Sequence, residues 1–504
     1  MEQANHDKLL IRYLLVFMAV WLLLLTVIPS IFYTVLPLDT IETIMWSHPF
    51  SMGNSKHPPL AGWLAGIFTV VSGHADSAMY LLSQLMLLTG FVYIYRLGKE
   101  FFSGEKAVLS VVLLATILFY TFDSCKFNVN LPHMALWPMM TFHCCRAIKY
   151  DLTADWILLG LASALAVLSK FFGFALLLAL FLFIATGRET RKYFRRPGPY
   201  LAFAVFLAVL APYAAWLVRN DFPPFVYMAD RVTEERLNPL LNFLDFLCES
   251  LFPLAMPLFL LWLTMDHPVR SLLGFRPRAI RPSNSNAARL AVCVQFTPIL
   301  LLTVMAGTGM MIDSMWEYPV YFITGFFLMA FWKDVSFREF KKLFWVLIVL
   351  FVSVQVFDIS YWFTRTRKRG HLNAREFAAT AQEFYRRQTG REIELAFGDM
   401  WYAGCIMQYL PTHPYAGTFE NPYDEFRFRS LLDHGGALGV YGEKKDADLL
   451  ADCLGISADE LKLSSEKFVF SYSAPYGKKK KQAVFFVAIP PRKTLAPDSA
   501  SIQN

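Results

Sequence analysis

The chain has 504 residues, of which 56% are hydrophobic and only 17% charged, and its mean hydropathy is +0.40. Apolar runs of about 20 residues recur along it, the length that crosses ~30 Å of hydrocarbon, which excludes a soluble globular protein. The net charge of +7 is gathered in short loops between those runs, so it reads as a topology signal and gives no ground for a nucleic-acid partner.

In chain order, Lys8 and Arg12 hold the N-terminus on the cytoplasmic side. The run from Leu9 to Leu36 is too long for a signal-peptide core and shows no small-residue cleavage site, so it reads as an uncleaved span. It delivers residues 37–58 to the opposite face. There Asp39, Glu42, His48, Lys56 and His57 crowd one loop of an otherwise apolar chain. Asp39 and Glu42 are three apart, hence neighbours on a helix, beside an apolar face of Leu38, Ile41, Ile44 and Met45. This is the pattern of an amphipathic helix lying on the membrane surface. Asp followed three residues later by Glu is also a capping-box variant, so a cap and a catalytic carboxylate both fit the spacing. Pro58 and Pro59 fix an extended turn that aims Lys56 and His57 at the lipid boundary. A cation there suits a phosphate, although basic residues at span ends also snorkel without a partner.

The short run Pro59–Val71 is expected to lie in the outer interface, because a crossing there would put Arg96 and Lys99 outside. Spans are then expected near 77–96, 106–122, 132–147, 156–169, 171–187, 199–218, 247–265, 290–307, 318–333 and 342–361. With the first run these make about eleven, an odd number, which sends the C-terminus outside. The arms on either side of Ser169-Lys170 are short, so that turn is expected below the membrane surface. From residue 363 the composition changes. "HLNAREFAATAQEFYRRQTG" has helical spacing and a closing Gly390, "EIELAF", "ALGVY" and "KQAVFFVAI" read as strands, and "DADLLADCLG" reads as a helix. The expected organisation is a polytopic α-helical membrane domain over 1–362, a soluble α/β domain over 363–490 and a tail over 491–504. Lys478–Lys481 reads as a solvated hairpin turn. Cys405 and Cys453 share the C-terminal domain and would be available to pair if it is exported.

The outer loops carry the polar chemistry. One supplies Asp123, Lys126, Asn128, Asn130 and His133, the broken helix pair supplies Lys170, "WLVRNDFPPF" supplies Arg219 and Asp221, and "GTGMMIDSMWEYP" supplies Asp313, Trp316, Glu317 and Tyr318. Ionisable groups at the membrane boundary are costly and point to function, although most such residues elsewhere form structural ion pairs.

The order of these features is an acidic helix after the first span, then W-x(n)-G-x-x-K-H-P-P-L, a polar outer loop, "LSK" in a split helix pair, "PYAAWLVRNDFPP" and "MWEYP". It resembles bacterial GT-C glycosyltransferases related to protein O-mannosyltransferases. The likeness is to the branch of aminoarabinose and galacturonosyl transferases that modify lipid A or its core, and it covers roughly residues 10–335. The resemblance implies a multi-pass enzyme of the bacterial inner membrane. It would move a sugar from a polyprenyl-phosphate donor to a lipid or oligosaccharide acceptor on the periplasmic side. It also makes Asp39 the catalytic acid position of the first loop, with Glu42 as the nearest second carboxylate.

In that scheme Asp39 is the general base, and Lys56, Lys170 and Arg219 balance the charge developing on the leaving phosphate. Attack opposite the phosphate would invert the anomeric centre. His57, Asn128, Asn130, His133, Trp316 and Tyr318 are the expected substrate contacts. With cations available no cofactor is required, and the histidines show no metal-ligand spacing. A transporter or flippase of polyprenyl-linked sugars would use the same cations. Transporters, however, usually show two related halves with polar groups at the midplane, which this chain lacks. A scaffold for envelope assembly would explain the C-terminal domain and leave the charged loops unexplained.

Overall fold

The computed structural model describes residues 2–47, 50–121, 123–234, 238–263, 284–310, 312, 314–418, 425–454 and 456–491. His48 and Asp313 lie outside these described residues. The chain divides into two compact units. One comprises Met1–Ser30, Lys56–Leu64 and Ser77–Asp358; the other comprises Ile31–Ser55, Ala65–Asp76 and Ile359–Asn504.

The first unit is helical. Among the described residues six helices are long and apolar enough to cross a membrane: Glu2–Phe32, Asp76–Phe101, Pro197–Arg219, Pro239–Leu260, Ser285–Ala306 and Phe337–Thr364. A bent pair, Gly104–Thr116 with Leu118–Cys125, would make a seventh. The remaining expected spans take other forms. Leu131–Tyr150 is a helix of 20 residues with Pro138 inside it. The expected span at 318–333 is a 3-10 segment, Ser314–Ile323, followed by a helix of only 8 residues, Thr324–Phe331. Proline at 319 removes a backbone donor from that segment, which keeps a regular α-helix from starting earlier. Leu60–Val71 has 12 residues, about 18 Å at 1.5 Å per residue, which is too short to cross.

Packing in this unit follows small residues and aromatic contacts. A Cβ at Gly160 would collide with the Ala202 carbonyl, so glycine lets Thr153–Ser169 close on Pro197–Arg219. A Cβ at Gly325 would likewise meet the Ser110 carbonyl. Trp21 stacks on Phe351 with centroids 4.4 Å apart, and Phe17 and Phe91 close the same cluster.

The second unit is built on a five-stranded sheet of order β2-β1-β3-β5-β4, where β1 is Leu395–Gly398, β2 Tyr415–Thr418, β3 Ala437–Tyr441, β4 Ser465–Tyr472 and β5 Lys480–Ile489. β1 runs parallel to β2 and β3, while β5 is antiparallel to β3 and β4. The expected helix after residue 371 is Ala374–Thr389. Asn373 caps it through the Glu376 amide, and Gly390 ends it at φ 72°. Its buried Phe377 and Phe384 pack on Phe486 of β5. The other face of the sheet holds Leu395, Phe397, Val487 and, from the helix Lys444–Leu454, Leu450. Cys405 is buried, Cys453 is exposed, and both are free thiols.

The first-loop helix, Leu38–Met45, belongs to this second unit, and here the structure corrects the sequence reading. Its apolar face is covered by protein and does not lie on lipid: Ile41 and Ile44 are fully buried and Met45 nearly so. They pack on the helix Met400–Tyr409 at Gly404, where a Cβ would collide with Ile41 Cγ2. Tyr409 fastens the loop by accepting the Leu36 amide at 2.7 Å and donating to Asp76 Oδ2 at 2.9 Å. Thr34 Oγ1 donates to the Leu372 carbonyl at 3.0 Å.

Candidate functional site

The cap reading of Asp39 does not hold in the folded loop. Pro37 occupies the N-cap and makes no side-chain cap hydrogen bond, while Asp39 sits inside the first turn. Proline fits this position because its fixed φ leads into a helix and its missing N–H costs nothing there. Asp39 and Glu42 are half-buried on the face left after Thr40, Ile41, Thr43 and Ile44 turn inward. The helix therefore presents its two carboxylates together, as the spacing predicts.

The first unit contains a cavity of about 260 Å³ bordered by Lys56, His57, Lys170, Tyr227, Met305 and Trp316. The rest of its wall is largely apolar and includes Phe171, Phe172, Pro224, Met228 and Leu302. Lys170 stands where the helix pair breaks. Thr153–Ser169 ends on Lys170 in extended conformation, φ −160° and ψ 139°, and Gly173–Thr186 begins three residues later. These arms of 17 and 14 residues are about 26 and 21 Å long, each short of the ~30 Å core. Lys170 is 6% exposed. Its ammonium donates to Asn130 Oδ1 at 3.0 Å and lies 4.6 Å from the Trp316 ring centroid. The indole face attracts a cation and strengthens as water is removed.

Beneath Lys170 the polar loop is braced from several sides. Asn128 Oδ1 accepts the Asn130 amide at 2.9 Å, Ser169 Oγ donates to the Val129 carbonyl at 2.7 Å, and His133 Nε2 meets the Ala166 carbonyl at 2.8 Å. Asn128, Asn130 and His133 are thus buried supports of the lysine and do not line the cavity.

Lys56 lies 5.4 Å from the Tyr227 ring centroid. Tyr227 comes from the helix Pro223–Glu234, which the "RNDFPP" motif places. Asp221 and Phe222 take positive φ of 57° and 54°, and the Phe222 amide donates to the Leu217 carbonyl at 3.0 Å. Two successive left-handed non-glycine residues cost roughly 1–2 kcal/mol each, so this reversal is imposed by its surroundings. Arg219 is exposed at the end of Pro197–Arg219 and is not among the lining residues. Tyr318 is buried against Phe119, with centroids 4.2 Å apart, and also lies off the cavity.

The structure therefore brings Lys56, His57, Lys170 and Trp316 to one cavity, sets three predicted contacts behind it, and leaves Arg219 and Tyr318 elsewhere. Sequence reasoning did not single out Tyr227, Met228, Met305 or Met310, whose apolar spacing looks like any membrane helix. The Met305–Met310 wall is held by Asn242, which donates to the Ala306 and Met310 carbonyls at 2.7 and 2.9 Å. Glu317 is buried under the cavity wall, where it accepts hydrogen bonds from Ser250 and from Tyr321 at 2.7 Å. Among the described residues no group of three or more His, Cys, Asp or Glu side chains has the geometry to hold a metal.

Known proteins share part of this sequence and the fold. A family model described as dolichyl-phosphate-mannose-protein mannosyltransferase matches residues 56–216, the segment that carries Lys56, the polar loop and Lys170. The fold is similar to crystal structures of ArnT from Cupriavidus metallidurans. The apo state superposes with a TM-score of 0.61 at 13% identity, covering 96% of this chain and 98% of that one. A second ArnT structure, bound to undecaprenyl phosphate, gives a TM-score of 0.56 at 14% identity and covers 94% and 97%. No curated protein sequence matched. The chain is a multi-pass membrane protein with the GT-C fold and a small C-terminal sheet, as the resemblance implies.

Proposed function

We propose that this chain is an inverting glycosyltransferase that moves a sugar from a polyprenyl-phosphate donor to an envelope acceptor, lipid A or core oligosaccharide, at the periplasmic face of the bacterial inner membrane. Residues 363–490 are its periplasmic α/β domain. The observation that carries this reading is the pairing of two lysines, Lys56 and Lys170, on a cavity otherwise walled by apolar and aromatic side chains. A lipid-linked phosphate has the same division between charged head and greasy tail. A second cavity, about 640 Å³ and lined by residues such as Phe119, Phe252, Met256 and Phe259, offers further apolar volume for a prenyl or acyl chain. ArnT, which has the same fold, has been crystallised with undecaprenyl phosphate, and the matching family model is named for a dolichyl-phosphate donor.

In the proposed reaction Asp39 takes the proton of the acceptor hydroxyl, and Glu42 is the second carboxylate of that helix. The acceptor oxygen bonds to the anomeric carbon as the bond from that carbon to the phosphate oxygen breaks. The electron pair leaves on the phosphate, where Lys56 and Lys170 balance its charge. Arg219, one short turn upstream of the helix that supplies Tyr227, stands outside the cavity and helps balance the charge of the donor phosphate from there. His57 and Trp316 contact the donor, and Asn128, Asn130 and His133 act through Lys170. Tyr318 acts at a distance by fixing the segment that bears Trp316. Mass spectrometry of envelope glycolipids from a deletion strain tests the reading: one glycolipid should lose a single sugar increment. An unchanged glycolipid profile would refute it.

A further inference from the structure

The Lys478–Lys481 run reads in the sequence as a solvated hairpin turn, and the function proposed above does not use it. Lys478 and Lys479 end the connection from β4 to β5 and Lys480 and Lys481 open β5, yet the turn is not free in solvent. It is pinned to the end of the helix Phe337–Thr364 by backbone-directed bonds. The Tyr476 amide donates to the Phe363 carbonyl at 2.9 Å. Thr366 Oγ1 accepts the Ala474 amide at 3.0 Å and donates to the Lys478 carbonyl at 2.8 Å. Gly477 lies so close to Thr366 that a Cβ there would collide with the threonine hydroxyl.

What surrounds this anchor has the chemistry of a membrane boundary. Tyr361, Trp362 and Phe363 close the spanning helix, Phe32 packs on Trp362 and Phe363 with centroids 5.5 and 5.4 Å away, and Tyr476 stands 82% exposed beside Phe363 at 6.1 Å. Aromatic rings collect at headgroup level because one end is apolar and the other wet. The cations follow immediately. Arg365, Arg367 and Arg369 leave the helix end exposed; Lys478 and Lys479 are exposed on the pinned turn, and Lys480 and Lys481 are exposed where β5 begins. Among the described residues none of these seven forms a salt bridge, whereas other surface arginines of this domain, Arg386 and Arg387, pair with Glu392 and Glu466.

We propose that this collar is a docking surface for the anionic phosphate headgroups of the lipid leaflet from which Phe337–Thr364 emerges. It is independent of the transferase reading and stands or falls separately. A run of lysines held in water gains nothing from being tied to the end of a span. Tied there, a lysine that reaches the headgroups meets a surface of negative charge within a Debye length, and each one that does so strengthens association about fivefold. Lysine suits this task because it is a flexible point charge that follows mobile headgroups and needs no fixed fork geometry. The hairpin thereby orients the α/β domain on the membrane that its last span leaves.

The test uses the full chain in nanodiscs of phosphatidylcholine with a graded fraction of phosphatidylglycerol. Native mass spectrometry after release counts the phosphatidylglycerol molecules retained. Wild type should retain them, and the variant Lys478→Gln, Lys479→Gln, Lys480→Gln, Lys481→Gln should bind them about tenfold or more weakly, with thermal unfolding unchanged because the anchors are backbone atoms. High salt should mimic the variant. A second variant, Arg365→Gln, Arg367→Gln, Arg369→Gln, should show a smaller loss. Equal retention by wild type and the lysine variant overturns the proposal. So does displacement of the lipid by inorganic phosphate at the same concentration, which would mark a free-phosphate site, or retention of lipid A alone.

Discussion

Replacing Lys170 by methionine keeps the length of the side chain and removes its charge. In the folded protein Lys170 is 6% exposed, so its ammonium is largely shielded from water, and its contacts include Asn130 Oδ1 at 3.0 Å and the Trp316 face at 4.6 Å. A hydrogen bond to a charged partner is worth about 1.5–3 kcal/mol net, so losing it on a donor phosphate should weaken binding roughly 10- to 150-fold. Stability should change far less. Asn130 loses its donor at a cost of about 1–3 kcal/mol, while the chain no longer buries an ammonium, and the two effects oppose each other. The assay is equilibrium binding of a polyprenyl phosphate and of the matching polyprenol to wild type and Lys170→Met. The variant should lose affinity for the phosphate and keep its affinity for the alcohol. Unchanged phosphate affinity, or equal loss for both lipids, would refute the assignment of this lysine.

The first-loop helix should depend on a methyl-sized gap. Gly404→Ala should lower turnover because the added carbon displaces Ile41 of the Asp39 helix, and Gly404→Ala with Ile41→Ala should recover much of it; additive losses in the double variant would argue against that contact. Lys56→Gln should weaken polyprenyl phosphate binding less than Lys170→Met, since Lys56 is only half-buried; a larger loss from Lys56→Gln would reverse the ranking of the two lysines. Maleimide should label Cys453 in the native protein and spare Cys405, whose thiol is fully buried and pushed well above its ordinary pKa by that burial; rapid labelling of Cys405 would contradict the packing of Met400–Tyr409.

Much of this was legible in the sequence for identifiable reasons. The membrane class follows from run length, and β3 matches the expected "ALGVY" residue for residue because a central strand buried along its whole length is a continuous apolar run. The helix Ala374–Thr389 was marked by its helical spacing and by Gly390 at its end, while the Asn373 cap emerges from the structure. β2 escaped notice because "YAGT" carries almost no strand propensity and is ordered by its neighbour β1. The apolar side of Leu38–Met45 was visible, but lipid and a protein helix are equally greasy, so only tertiary structure reveals that Gly404 faces it. Lys56 and Lys170 stood out as charges in apolar surroundings. Tyr227 did not, since its placement depends on the left-handed pair Asp221 and Phe222, which glycine-based turn rules do not anticipate.

The most direct measurement is sugar transfer by the purified chain, supplied with a radiolabelled polyprenyl-phosphate sugar and a lipid A acceptor, beside Asp39→Asn. Wild type should place label on the acceptor, and the variant should be about 10²- to 10⁴-fold slower while still binding the donor. Transfer by Asp39→Asn at the wild-type rate would contradict the account, as would movement of the labelled lipid across a bilayer with no label ever reaching the acceptor.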